Sequence, residues 1–310
     1  MYSPRLPALT SKDARGPIGL RRGERVLFLL PAFALLVPFY IIPNVLNFAV
    51  SLTNWSTFAS RFHFIGLDNF ADLAATGGLW DVIGRTIVFA VAVTLIENVV
   101  ALGLAVVLEE PSRVNVTLRA VFFIPVLISS LSAAYVARGM LDPTGPVNQA
   151  ISAVTNPLGL GPFTFSWLGD TNLVLFLVAM IHAWKWGGTV MLIYITGLAA
   201  VPRELLDAGR VDGATSWQLL RHVKLPLLGP ALTFNLTLSL IGALGAFDTI
   251  LVLTHGGPAR ATEVINFNVW RLFSQGYLGE SAGLSMVLFV LCVLFALPLI
   301  ISLRRREVRL

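Results

Sequence analysis

The residues with most capacity for chemistry in this chain of 310 residues fall into two groups. One is a polar stretch between Ala199 and Pro226. Pro202 suits the first position of a helix, where no backbone donor is missed. Glu204 and Asp207 follow in the first turns, where the helix dipole favours negative charge, and Arg210 shares a face with Asp207. Gly209 and Gly213 weaken the helix and permit a sharp bend. A second short helix, expected from Ala214 to Val223, carries Trp217, Leu220 and His222, and Leu225-Pro226 is expected to end it. The product is a bent, two-helix projection with an exposed tryptophan. Such a projection docks into a protein groove or lies on lipid headgroups, and the residues alone leave both open. The second group lies inside apolar runs: His182, Trp184, Lys185, Trp186 and Thr189 in one, Ser239, Phe247 and Asp248 in another, Glu97 in a third. Ionisable groups in such runs are paired or face a cavity. Glu97 and Lys185 therefore form an ion pair, or Lys185 faces a ligand. His182 and Trp184 read equally as packed interior residues.

Several chemistries are excluded. The chain has no phosphate-binding glycine loop ending in Lys-Ser/Thr, so no ATP chemistry of that kind is expected in it. It has no Gly-x-Ser-x-Gly nucleophile elbow, and Asp248 is the only aspartate well inside an apolar run, which leaves no aspartyl pair. The only cysteine, Cys292, lacks a disulfide partner and any metal-ligand spacing, and reads as a packing residue. No catalytic residue, metal site or cofactor is expected in this chain.

The elements that must position these groups span a membrane. Hydrophobic residues make up 56% of the chain and charged ones 13%, too little charge for a soluble surface. About 20 apolar residues cross a bilayer as a helix. Six runs qualify: Val26–Val50, Thr86–Leu108, Ala120–Ala137, Leu173–Leu198, Leu227–Leu253 and Ala282–Leu303. Continuous runs exclude the alternating pattern of a barrel, and the first is too long for a cleavable signal. An all-α domain over 26–303 is expected, flanked by tails at 1–25 and 304–310. The connections to one side of the membrane, with both tails, hold 16 Lys/Arg and those to the other five. The positive-inside rule then puts both termini and the 199–226 loop in the cytoplasm. The net charge of +5 is thus a topology signal, with attraction to anionic lipid as a lesser role, and does not point to nucleic acid. On the opposite side, Ser51–Arg85 is aromatic-rich, and Gly139–Asn172 is broken by prolines and glycines around a short helix near Val147–Val154. No internal repeat is present.

Asp207-Ala208-Gly209, three residues, Gly213, nine residues, Val223, one residue and Leu225-Pro226 resemble the cytoplasmic signature loop of bacterial ABC import permeases. That pattern is Glu-Ala-Ala, three residues, Gly, nine residues, Ile, one residue, Leu-Pro. Every spacing matches, with Asp207, Gly209 and Val223 as departures. Val201-Pro202, Asp212-Gly213-Ala214 and Trp217 look like the carbohydrate-importer branch. So do Thr254-His255-Gly256-Gly257-Pro258, Gly279 with Ser281-Ala282, Arg119, Phe122 and Pro125, and Gly145 with Val147 and Asn148. The resemblance implies a six-helix type I importer permease whose loop, through Glu204, Asp207, Ala208, Gly209, Asp212, Gly213, Trp217, Leu225 and Pro226, docks on an ATPase subunit.

It implies further partners: a second permease, two cytoplasmic ATPases that bind ATP and Mg, and an external solute-binding lipoprotein. The setting is the bacterial plasma membrane. The fourth and fifth spans would line the pathway, with His182, Trp184, Lys185, Trp186, Thr189, Ser239, Phe247 and Asp248 meeting the substrate. Aromatic faces beside hydrogen-bonding groups suit a sugar. Glycerol phosphate or a glycerophosphodiester is the alternative, and an ion-driven secondary transporter a distant one. The ending Arg304-Arg305-Arg306-Glu307 lacks the glycine-rich tail of some partner permeases, so the chain reads as the first member of a heterodimeric pair.

Overall fold

The computed structural model describes residues 22–59, 61–75, 78–305 and 307. The expected N-terminal tail lies outside the described residues as far as position 21, as do 306 and 308–310 of the C-terminal one. Among the described residues the chain is helical throughout, apart from an isolated antiparallel bridge between Thr53 and Phe64.

The chain divides at Val50. The N-terminal unit holds α1 (Arg22–Leu36), a π-helical turn (Val37–Ile41) and α2 (Ile42–Ser51). Pro38 has no amide to give, and the helix widens there so that the Ile42 amide reaches back to the Val37 carbonyl. The apolar run Leu29–Ser51 within it is long enough to cross a membrane, and none of its most apolar stretch is buried.

The larger unit begins with α3 (Asp68–Ala75) and α4 (Gly78–Leu108), and continues through α5 (Arg113–Leu127), α6 (Ser130–Met140) and α7 (Pro146–Thr155) to α8 (Val174–Ala199). Next come α9 (Arg203–Val211), α10 (Ser216–Leu219), a π turn (Leu220–Lys224) and α11 (Leu225–Leu227). Then follow α12 (Gly229–Leu244), α13 (Asp248–Leu253), α14 (Ile265–Ser274) and α15 (Leu278–Arg304). Helices α4 and α8 form the central pair. Small residues on their faces, Ala90, Ala101 and Ala105 against Ala179 and Ala183, are buried and let the backbones approach, the usual device where lipid supplies no hydrophobic drive. At Gly188 the approach of α5 is so close that a Cβ would stand 2.5 Å from the Phe122 carbonyl oxygen. One apolar cluster, with Phe89, Val93, Val178, Leu244 and Ile250, fills one half of the bundle. A second, with Ala105, Met191, Tyr194 and Leu228, fills the half nearer the 199–226 loop.

Four helices are long and apolar enough to cross a membrane, and two bent pairs raise the number to six. The third and fifth runs, expected as continuous spans, are both broken. The third bends by 102° between α5 and α6. Ile128 and Ser129 there are extended, and the Ser129 hydroxyl caps α6 by accepting from the Ser132 amide at 3.1 Å. The fifth stops at Leu244 and restarts at Asp248. The Gly245 carbonyl left between them accepts from Asn266 Nδ2 at 2.7 Å. The two displaced pieces, α6 and α13, pack on each other, and Arg138 Nη1 donates to the Val252 carbonyl at 3.2 Å. The expected surface helix is α7, whose buried Asn148 binds the Pro143 and Phe165 carbonyls and the Trp167 indole N–H.

Candidate functional site: a docking loop and a polar cavity

The 199–226 segment folds into the bent projection that its residues imply, with shifted boundaries. Pro202 caps α9 from outside, and Glu204 occupies the first turn. Asp207 and Arg210 pair at 3.0 Å, each side chain 66% exposed, a contact worth little to stability. Gly213 has φ +82. Its amide donates to the Arg210 carbonyl, and the Ala214 amide reaches the Gly209 carbonyl at 2.9 Å. These bonds form a Schellman cap that closes α9. No atom lies within 4 Å of a Cβ built at Gly213, so the left-handed backbone, not crowding inside the loop, demands glycine there. Asp212 is the C-cap, with its amide on the Ala208 carbonyl.

The second helix starts at Ser216 behind a capping box. The Gln218 amide donates to Thr215 Oγ1, and the Thr215 amide to Gln218 Oε1 at 2.7 Å. It does not end at Leu225-Pro226 as expected. The π turn 220–224 carries it through Pro226, and the 69° bend falls at Leu228. Leu225 joins the nearby apolar cluster. The projection is anchored by Lys224, which pairs with Glu109, and Arg119 Nη2 binds the Glu109 carbonyl at 3.0 Å. Inside it, Leu219 fills the space a Cβ at Gly209 would claim, 2.6 Å from its Cδ2. The loop's glycine at that position thus makes room for a leucine. Trp217 is 65% exposed, and Leu205 and Val211 of α9 are exposed as well. An apolar surface on a rigid projection can enter a groove, and a bare tryptophan is the type of anchor that dominates such contacts.

Between α4, α8, α12 and α13 lies a cavity of about 350 Å³. Of the residues expected to meet substrate, His182, Trp186, Thr189, Ser239, Phe247 and Asp248 line it. His182, Trp186 and Thr189 stand at i, i+4 and i+7, one face of α8. Ser239 and Gly242 share a face of α12, and the break after it turns Ala246, Phe247 and Asp248 into the wall. Trp184 and Lys185 are not brought there. Trp184 lies on the other side of α8, in a second hollow with Phe122 and Met180. Lys185 is buried, donates to the Val126 carbonyl at 3.1 Å and stands 4.4 Å over the Trp186 ring. It makes no ion pair with Glu97. That glutamate, 4% exposed, lines both the cavity and the second hollow.

Ser130 and Thr249 also line the cavity, though neither carries a signal in the sequence beyond its polarity inside an apolar run. His182 Nδ1 stands 3.4 Å from Thr249 Oγ1, and its ring meets Phe89 edge-on. Behind the wall, the Tyr194 hydroxyl donates to Asn98 Oδ1 at 2.6 Å, and Asn98 Nδ2 to Ser239 Oγ at 3.1 Å. Buried polar groups bonded in this way hold one geometry. The cavity thus offers an indole face, a phenyl face, hydroxyls and carboxyls, and no Lys or Arg lines it.

The family described as binding-protein-dependent transport system inner membrane component matches residues 98–308. A "Probable starch degradation products transport system permease protein" of Thermoanaerobacterium thermosulfurigenes is 31% identical over 285 residues, 92% of this chain and 95% of that one. A trehalose/maltose transport system permease protein of Thermococcus litoralis is 30% identical over 272 residues, 87% of this chain and 90% of that one. In a crystal structure of a bacterial alginate ABC transporter, in complex with an alginate pentasaccharide-bound periplasmic protein, one chain superposes with TM-score 0.78 at 20% identity. The match covers 91% of this chain and 94% of that one. By sequence over most of its length, and by fold, this chain belongs to the inner membrane components of binding-protein-dependent transport systems, the permease subunits of ABC transporters.

Proposed function

We propose that the chain forms one half of the pathway of an ATP-driven importer and passes a sugar delivered by an external binding protein. The observation that carries the sugar is the cavity. Trp186 and Phe247 offer faces for the apolar side of a pyranose, and Thr189, Ser239, Glu97 and Asp248 offer partners for its hydroxyls. The starch-product and trehalose/maltose relatives are named for carbohydrates. Glycerol phosphate fits poorly, because no cation lines this wall. Both termini and the α9–α11 loop face the cytoplasm, as the basic residues favour. The loop docks there on an ATPase subunit, which binds ATP and Mg. A second permease and a second ATPase complete the complex. ATP binding draws the ATPases together, the loops follow, and the broken helices turn the cavity outward by rigid-body motion.

The test is reconstitution with the second permease, the ATPases and the binding protein. Trp217→Ala is expected to cost about 2 kcal/mol at the loop interface, about thirtyfold in affinity, and Gly213→Asp to distort the cap. Both variants should reach the membrane yet lose co-purifying ATPase and binding-protein-stimulated hydrolysis. Full stimulated hydrolysis in both would show that this loop is not the coupling element. Sugar uptake without ATP would end the importer reading itself.

A further inference from the structure

The cavity's charge goes further than its polarity. Glu97 and Asp248 both line it, and the cationic side chain nearest along α8, Lys185, is turned to the Val126 carbonyl. Among the described residues Glu97 has no ion pair, and it lines the cavity together with Ser239. Asn98 Nδ2 donates to the Ser239 hydroxyl oxygen at 3.1 Å, which leaves the Ser239 proton free for another acceptor, and the Tyr194 hydroxyl donates to Asn98 Oδ1 at 2.6 Å. Asn98 Nδ2 also donates to the Thr94 carbonyl at 2.8 Å, which uses both its hydrogens. Tyr194, Asn98 and Ser239 thus form a relay of donors that ends in the cavity wall shared with Glu97. A buried carboxyl without an ion pair keeps acceptor capacity for a ligand. An acidic ligand would meet two carboxyl groups and no Lys or Arg in this wall, which is costly.

We infer that Glu97, set in the cavity wall beside the Tyr194–Asn98–Ser239 relay, is a specificity-determining residue that accepts substrate hydroxyls or amines, and that the pathway favours glycosides without acidic groups. The inference rests on the sugar reading above and narrows it. The fold neighbour was solved with an alginate-loaded binding protein, and alginate is an acidic polysaccharide, so the shared fold does not set this preference.

The test uses the complete complex of permeases and ATPases without the binding protein, whose own selectivity would mask the effect. Equilibrium dialysis would compare maltotriose, its C6-amine counterpart and its C6-carboxylate counterpart, which share one linkage and ring geometry. The neutral and amino sugars should bind about tenfold or more tighter than the carboxylate, roughly 1.4 kcal/mol. Glu97→Gln and Asp248→Asn should each shrink that ratio severalfold. Ser239→Ala, which keeps both carboxyls, should weaken all three sugars and leave the ratio in place. Equal binding of neutral and acidic sugars by the unmodified complex would overturn the inference, as would an unchanged ratio in both carboxyl variants. If one carboxyl variant fails to assemble, the unmodified ratio and the other variant still decide. If none of the three sugars binds, the sugar reading fails and takes this inference with it.

Discussion

Glu97 and Lys185, each buried in an apolar helix, would seem made for each other, yet they do not pair, and the reason lies in a third element. α5 ends at Leu127, and the last carbonyls of a helix have no internal partners and carry its negative pole. Lys185 satisfies one of them, the Val126 carbonyl. Lys185→Met should therefore lower thermal stability of the complex in detergent by about 1.5–3 kcal/mol and leave the sugar preference unchanged. Combined with Glu97→Gln, the two losses should add to within about 0.5 kcal/mol. A strong coupling between them would restore the ion pair. Gly209 and Gly213, four positions apart in the signature pattern, are glycine for different reasons. Gly209→Ala asks only that the Leu219 side chain give way. Gly213→Ala forces a left-handed conformation on an L-residue, at about 1–2 kcal/mol. ATPase co-purification should fall further for Gly213→Ala than for Gly209→Ala, and Leu219→Ala should rescue only the latter.

Helices in this chain are defined as much by where they stop as by their apolar content. Hydropathy sees an uninterrupted run over Leu227–Leu253, because Gly245, Ala246 and Phe247 are apolar enough to continue it. The break is stable because its bare carbonyl finds Asn266 on α14, a residue no local window could connect to it. Asn266→Leu should remove that partner at about 1 kcal/mol, lower the unfolding temperature and reduce sugar binding, since Phe247 and Asp248 reach the cavity through the break. Unaltered stability and binding would show that α13 is held by its packing on α6 alone. The 102° bend of the third run was half legible. Pro125 and the Ser129–Ser132 cluster mark a weak point and a cap, but its angle depends on α13 packing against α6. In the docking loop, the helix expected from Ala214 starts at Ser216, behind the Thr215–Gln218 capping box. Its continuation through Pro226 was not legible, because a π turn relieves the clash that a proline would otherwise cause.

At the scale of the molecule, the disposition across the membrane proposed from charge is open to a direct check. With Cys292 replaced by Ser, a cysteine at Thr254 should react with an impermeant maleimide added to intact cells, and one at Trp217 only after lysis. The opposite pattern would invert the topology and with it the docking role of the loop. Membrane residence, helical class and the family motif could be read from the chain without its structure, since each depends on local composition or fixed spacing. The lining face of α8 is narrower than the expected set, because a helix of 3.6 residues per turn sends His182, Trp186 and Thr189 one way and Trp184 the other. What the chain could not disclose was which distant groups meet. Lys185 goes to a helix end on α5, Asn98 to a serine on α12, and the fifth span breaks against an asparagine on α14. Those choices belong to tertiary structure because burial in an apolar setting obliges each polar group to find a partner, and only the packed arrangement of helices determines which partner is within reach.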